Sequence, residues 1–241
     1  MAARQLLIIV LLAFFAAACA KDDRQDAKTA KPDVPLIVKA KPRMMTDEQK
    51  AQLAFPPDII AQVETAAGAA AEPFFEDVMI RSANLKGDVM IATAKLSGFS
   101  VHTRNAEEII AGLSRPFRTR GFLIFRSEQN YGSVPDVVTV VRGESSYDIL
   151  RIQRTEAPHY HLSTASIIKW LRVQQRSGSF VITGAGADWV EASFIQQPRN
   201  LKVFARNIVA FAPDVLHEGP STVDKIADRM AKTNGFRLVW D

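Results

Sequence analysis

Apolar positions in the second half of the chain recur at helix and strand spacings. Leu201, Phe204, Ala205, Ile208 and Val209 stand at i, i+3, i+4, i+7 and i+8, a full apolar stripe. Pro198 suits the first turn of that helix and Pro213 ends it. Val223, Ile226, Ala227 and Met230 predict the inner face of a second helix, with Ser221 and Asp224 as its capping pair and Gly235 as its stop. Upstream, Ser163 or Thr164 caps a helix carrying Ile167, Ile168 and Leu171. Phe180-Val181-Ile182 and Trp189 to Ile195 read as strands, with Gly184-Ala185-Gly186 as the turn between them. Val190, Ala192 and Phe194 share one face of the second strand. Phe236 to Trp240 predicts a closing strand, and the β-branched run Val137 to Val141 an earlier one.

The first half is less regular. Pro56-Pro57-Asp58 opens a short helix through Ala67, and Asp77 to Thr103 holds one or two strands. Asn105 with Glu108 caps a helix whose apolar face is Ile109, Ile110 and Leu113, and Pro116 ends it. Gly121 to Phe125 reads as a buried strand. From Val137 the order is strand, helices, strand, strand, helix, helix, strand. That order predicts the α+β class: a mixed β-sheet with helices packed on it, a split βαβ-like sandwich. No repeat of 20 to 50 residues is present.

The start of the chain has another character. Arg4 precedes the apolar run Leu6 to Ala18, which ends in three alanines before Cys19, the only cysteine. A charged start, an apolar middle and a small-residue end are the layout of an export signal. Ala16-Ala17-Ala18-Cys19 resembles the lipobox of bacterial lipoproteins. The resemblance implies cleavage before Cys19, acylation of its thiol and a membrane anchor made of lipid. The alternative for Cys19 is an ordinary packed thiol. The run is too short to span ~30 Å of hydrocarbon, which needs about 20 apolar residues. Ala20 stands where enteric inner-membrane lipoproteins carry Asp, so the same resemblance implies the periplasmic face of the outer membrane in a Gram-negative host. Residues 1–18 are then the lipoprotein signal, and 19–53 the lipidated N-terminus with a polar, proline-bearing tether that is disordered. Residues 54–135 form the N-terminal α/β part of the globular region and 136–241 its C-terminal domain.

With Cys19 acylated no disulfide can form, so the folded part holds by its core alone. The net charge of +4 comes from 30 basic against 26 acidic residues spread along the chain. Nothing clusters into a nucleic-acid footprint, so no nucleic acid is expected as a partner.

Several linked segments between about Asp136 and Asp241 are similar to the bacterial domain-of-unknown-function family 4253. They are Tyr147-Asp148-Ile149-Leu150-Arg151, Thr155 to His161 followed by Ile167-Ile168 and Leu171, and Gly184-Ala185 with Asp188-Trp189-Val190-Glu191. Phe204-Ala205, Phe211, Pro213-Asp214-Val215, Gly219 and the ending Trp240-Asp241 complete them. His159-Tyr160-His161 replaces the family's usual Asn-Tyr-Asp, Ala212 its Cys, Glu218 its Gln and Val239 its second Trp. The resemblance implies a fold and a boundary, and brings no reaction.

Candidate chemistry is sparse. His159 and His161 lie two apart, so an extended segment would point both imidazoles to one side as half of a zinc site. A catalytic zinc needs three protein ligands, and only two can be named; the other reading is a polar loop before a helix cap. Asp214, His217 and Glu218 form a polar loop that can supply acid, base and orienter. Their other reading is a local turn with solvated neighbours. Asp188, Trp189, Trp240 and Asp241 are candidate ligand or partner contacts, against a packing role for the tryptophans. Arg115, Arg118 and Arg120 offer a grip for acidic lipid or lipopolysaccharide, against the reading that they suit the negative end of a helix dipole. No cofactor motif and no complete metal site is found. Two functions follow: a non-enzymatic binding module on a lipid tether, partnered by another envelope protein, or a periplasmic hydrolase using His159/His161 and Asp214/His217/Glu218.

Overall fold

The computed structural model describes residues 44–81 and 90–241. Cys19, the signal segment and the tether as far as residue 43 lie outside them. The elements are α1 (Asp47–Leu53), α2 (Pro57–Ala67), β1 (Glu72–Arg81), β2 (Met90–Thr103), α3 (Ala106–Arg118), β3 (Phe122–Glu128) and β4 (Asp136–Arg142). Then come α4 (Asp148–Ile152), α5 (Thr164–Gln174), β5 (Phe180–Ala185), β6 (Trp189–Phe194), α6 (Leu201–Phe211), α7 (Val223–Thr233) and β7 (Gly235–Val239). All seven strands form one open sheet in the order β1-β2-β4-β3-β5-β6-β7. Neighbours are antiparallel except β3 and β5, which run parallel and meet at Arg126 and Gly184. Helices pack on this sheet, so the fold is α+β.

Strand alternation divides the core between two faces. Phe122 and Ile124 of β3 face one side, with Phe99, Val101, Val138 and Val140, under α1, α2 and α3. Leu123 and Phe125 face the other, with Phe180, Ile182, Val190, Ala192, Phe194, Phe236 and Leu238, under α4, α5 and α6. That is why β3 and β4 read as continuous apolar runs. In the second core the Phe236 ring meets Phe180, Phe194 and Phe204 at centroid distances of 4.9, 5.4 and 5.2 Å. The expected boundary near residue 136 falls at the start of β4, which lies between β2 and β3, so one sheet runs through both segments.

Local differences from the sequence expectation have local causes. The irregular tether expected through residue 53 gives way to α1, because Thr46 and Gln49 form a reciprocal capping box and Met45 and Leu53 are buried. Asn105 does not cap α3 with its side chain; its backbone N–H donates to Thr103 Oγ1 at 3.1 Å. Pro116 lies inside α3 and does not end it. The one helical bond it removes is outweighed by Phe117, fully buried a residue later. Arg120, expected to serve the end of that helix, forks onto the Asp58 carboxylate at 2.6 and 2.9 Å. Thr222 and not Ser221 caps α7, accepting from the Lys225 N–H at 3.3 Å, and Asp224 pairs with Lys202 at 3.0 Å. Asn234, at φ 51°, ends α7, and Gly235 already belongs to β7.

Gly98 sits where β2 crosses β4: a Cβ there would stand 2.1 Å from the Val140 carbonyl oxygen. Gly98→Ala is expected to destabilise the protein by about 1–3 kcal/mol. Gly112, in α3 with open space around its Cβ position, is the control. Gly112→Ala should stabilise by roughly 0.5–1 kcal/mol. Urea unfolding of both variants measures the contrast.

Candidate functional site

A cleft of about 390 Å³ opens where the ends of β6 and β7 meet the loop after β3 and the turn after α6. The turn before β6 sets its first wall. Gly184 and Gly186 leave the space that the Trp189 ring occupies, since a Cβ on Gly186 would stand 2.2 Å from Trp189 Nε1 and one on Gly184 2.9 Å from Cζ3. Gly184 and Ala185 belong to β5, so the turn is shifted to Gly186–Asp188. Pairing of β6 with β7 then brings Arg237 beside Trp189. The guanidinium carbon of Arg237 lies 4.7 Å from the Trp189 ring centroid and 5.6 Å from that of Tyr131.

Arg237 is held at both terminal nitrogens, while its buried Nε has no hydrogen-bond acceptor. Nη2 donates to the Tyr131 hydroxyl at 2.8 Å, Nη1 donates to Gln129 Oε1, and Nε stands 2.8 Å from Glu218 Oε2. Tyr131 in turn donates to Glu218 Oε1 at 2.9 Å. The Arg237 side chain is only 10% exposed while Tyr131 is 67% exposed, so a buried cation stands behind an exposed ring. Asp214, in the 3₁₀ turn Pro213–Leu216, accepts at Oδ2 from the Tyr160 hydroxyl at 2.7 Å and from the Asp241 N–H at 2.9 Å.

The cleft thus gathers Asp188, Trp189, Asp214, His217, Glu218 and Asp241 from the sequence-derived candidates. It does not gather the others. His159 lies in a 3₁₀ turn and His161 in a left-handed conformation at φ 54°, so the alternation expected of an extended segment does not apply. Both are exposed and off the cleft. Among the described residues no three His, Cys, Asp or Glu side chains come together to hold a metal. Trp240 is 3% exposed and packs in the core. Its indole N–H donates to the Phe211 carbonyl at 3.0 Å, and its ring meets Phe211 edge-on, so it is not a surface contact.

Gln129, Tyr131 and Arg237 were not singled out by the sequence. Arg237 stands between Phe236 and Leu238, where alternation makes a charged residue read as a solvated position. Only its place opposite Glu191 and beside Trp189 reveals its role, and that depends on strand pairing.

The structure defines a class, an open mixed-sheet α+β protein with an aromatic and acidic cleft. Within it, residues 137–241 match the model of a family described as Domain of unknown function (DUF4253). No curated protein and no solved structure matches the chain. The matched segment carries β4 to β7 but not β3, the strand that joins β4 to β5 in the sheet.

All three tyrosines are held above the ordinary value near 10. Burial, then its hydrogen bond to Glu218, raises Tyr131; burial raises Tyr147; the bond to Asp214, then burial, raises Tyr160. Each therefore favours the neutral ring more in the folded than in the unfolded chain. The stability this contributes is fully present below about pH 10 and is lost as pH rises through the folded values. Absorbance titration at the phenolate band should show all three ionising late, with Tyr131→Phe and Tyr160→Phe each removing one late transition. Gly186→Ala should displace the Trp189 ring and cost about 1–3 kcal/mol, read by urea unfolding with tryptophan fluorescence.

Proposed function

We propose that the protein is a lipid-anchored protein of a bacterial envelope whose globular part is a non-enzymatic protein-binding module. Its anchor is the acylated Cys19, and in a Gram-negative host it faces the periplasm from the outer membrane. Its partner is another envelope protein. The observation that carries the binding reading is the Tyr131–Arg237–Trp189 stack at the mouth of the cleft. Tyr, Trp and Arg are the side chains most enriched in interface hot spots. Here the ring of Tyr131 is presented to solvent in a fixed position by its bonds to Arg237 and Glu218. Asp188, Asp214 and Asp241 give the rim an acidic character that suits a basic partner surface.

The competing reading is a periplasmic hydrolase. In its favour, Asp214, His217 and Glu218 line one cleft. Against it, Glu218 turns one oxygen to Tyr131 and the other to Arg237, and Asp214 is held by Tyr160 and Asp241. His217 is exposed and its backbone N–H, not its imidazole, meets Asp214. A base needs a partner that orients it, and neither carboxylate is aimed at this imidazole.

Two measurements test the proposal. Cys19→Ser should lose the label of a fatty-acid probe and leave the membrane fraction; equal label on both chains would sink the anchor. A photoreactive residue at position 131 of the lipidated protein should give one discrete adduct with an envelope protein. Tyr131→Ala should weaken binding to that partner by about tenfold or more while changing unfolding stability by less than about 1 kcal/mol. Undiminished binding would reject the cleft as the docking site.

A further inference from the structure

The face of β5, β6 and β7 opposite the aromatic core forms the floor of a second cavity, of about 520 Å³, walled by α3 and α7. Its volume is that of sites that enclose small molecules, roughly 300–1,000 Å³. Alternation places Glu191 and Ser193 on the floor, and Thr183 joins them at the irregularity where the β5–β6 register shifts. Ala111 of α3, Val181 of β5 and Pro220 before α7 supply accessible apolar wall, and Ile110, Ile226 and Met230 behind it are only 2–4% exposed.

Arg126 lies at the end of this floor with its side chain only 8% exposed. Its Nη1 donates to Glu191 Oε2 at 2.6 Å. Its Nε stands 3.2 Å from Asp136 Oδ2, close enough for attraction, but the N–H is not directed at that oxygen and has no hydrogen-bond acceptor. Glu191 is 31% exposed and commits Oε2 to Arg126. Among the described residues, Glu191 Oε1, Arg126 Nη2 and the Thr183 and Ser193 hydroxyls form no side-chain hydrogen bond within the protein. Buried polar groups normally find partners, so the unpartnered Arg126 Nε is the anomaly here, and the other four groups are accessible donors and acceptors that a ligand in a concave site can engage.

The charge pattern narrows the ligand. Arg126 sits between the Asp136 and Glu191 carboxylates, and with Glu107, Arg229 and Arg237 also lining the cavity both signs of charge face it. A lone anion placed on Arg126 would meet the Glu191 carboxylate, and a lone cation placed on Glu191 would meet the guanidinium. A molecule carrying both charges extends the alternating series at each end. We propose that this cavity binds a small zwitterion with an apolar arm, an amino acid or a short peptide. Its carboxylate rests on Arg126, its ammonium on Glu191 Oε1, and its side arm lies against Ala111 and Val181. The cavity adjoins the Tyr131 cleft, sharing Gln129 and Arg237 with it, but its binding groups Arg126 and Glu191 lie outside that cleft, so it does not depend on the protein-binding reading.

Calorimetry on the full-length protein in detergent, with four probes, tests this. They are leucine, leucyl-leucine, leucinamide (cation only) and N-acetylleucine (anion only). Leucine or leucyl-leucine should bind at least about tenfold more tightly than both singly charged analogues, a difference of about 1.4 kcal/mol. The tighter of the two identifies a free amino acid or a short peptide as the source. Glu191→Gln should remove most of that preference, whereas Tyr131→Ala should leave it intact, which separates this site from the docking cleft. Equal affinity for all four probes, or no saturable binding of either zwitterion up to about 10 mM, would overturn the proposal. The probe series is read on the unaltered protein, so the result stands even if Glu191→Gln fails to fold.

Discussion

The whole sheet depends on one junction. Four strands, β1-β2-β4-β3, and three strands, β5-β6-β7, meet through a parallel pairing whose register rests on Arg126 and Gly184. Parallel neighbours cannot be joined by a tight turn, so the chain must cross over, here through β4, α4 and α5. The Arg126 guanidinium reinforces the same place from the side, reaching Asp136 on β4 and Glu191 on β6. Gly184 permits the approach, since a Cβ there would stand 3.2 Å from the Arg126 carbonyl oxygen and 3.1 Å from Glu191 Oε2. A buried ion pair is weak evidence of net stability, but breaking one partner leaves an uncompensated charge inside. Arg126 therefore constrains register more than it adds to stability.

Both sites descend from that junction. Glu191 and Arg237 are register partners on β6 and β7, yet they turn to different companions: Glu191 to Arg126, Arg237 to Glu218. The polar series crosses the exposed side of a sheet whose opposite side is packed with phenylalanine. Trp189 marks the boundary between cleft and cavity, seated on glycines at one end and covering Arg237 at the other.

Elements with strong periodicity are legible in the chain itself. The stripe from Leu201 to Val209 and the inner face Ile226, Ala227, Met230 form the helices they predict, because one spacing brings one face to one core. The same holds for the strand around Val137 to Val141. Short-range chemistry is less legible. Helix α1 has few apolar residues and is made by a capping box that composition hides. The position of β4 between β2 and β3 is a long-range choice that no local pattern encodes. Of the cleft, the acidic turn and Trp189 stand out as unusual residues, while Tyr131 and Arg237 do not. Arg237 is a charged residue at a strand position that alternation assigns to solvent and Tyr131 a loop residue, and only the pairing of distant strands gives them company.

The Phe236 ring has a consequence for the order in which the molecule is made. Phe180, Phe194 and Phe204 are all synthesised before it, and each waits for the same strand to arrive. Until β7 docks, three aromatic side chains of the second core have lost their shared neighbour, and the edge of β6 is bare. A chain cut anywhere between α7 and β7 would therefore present a sticky, half-assembled layer to chaperones and proteases. Completion of the second core thus waits on the five residues of β7.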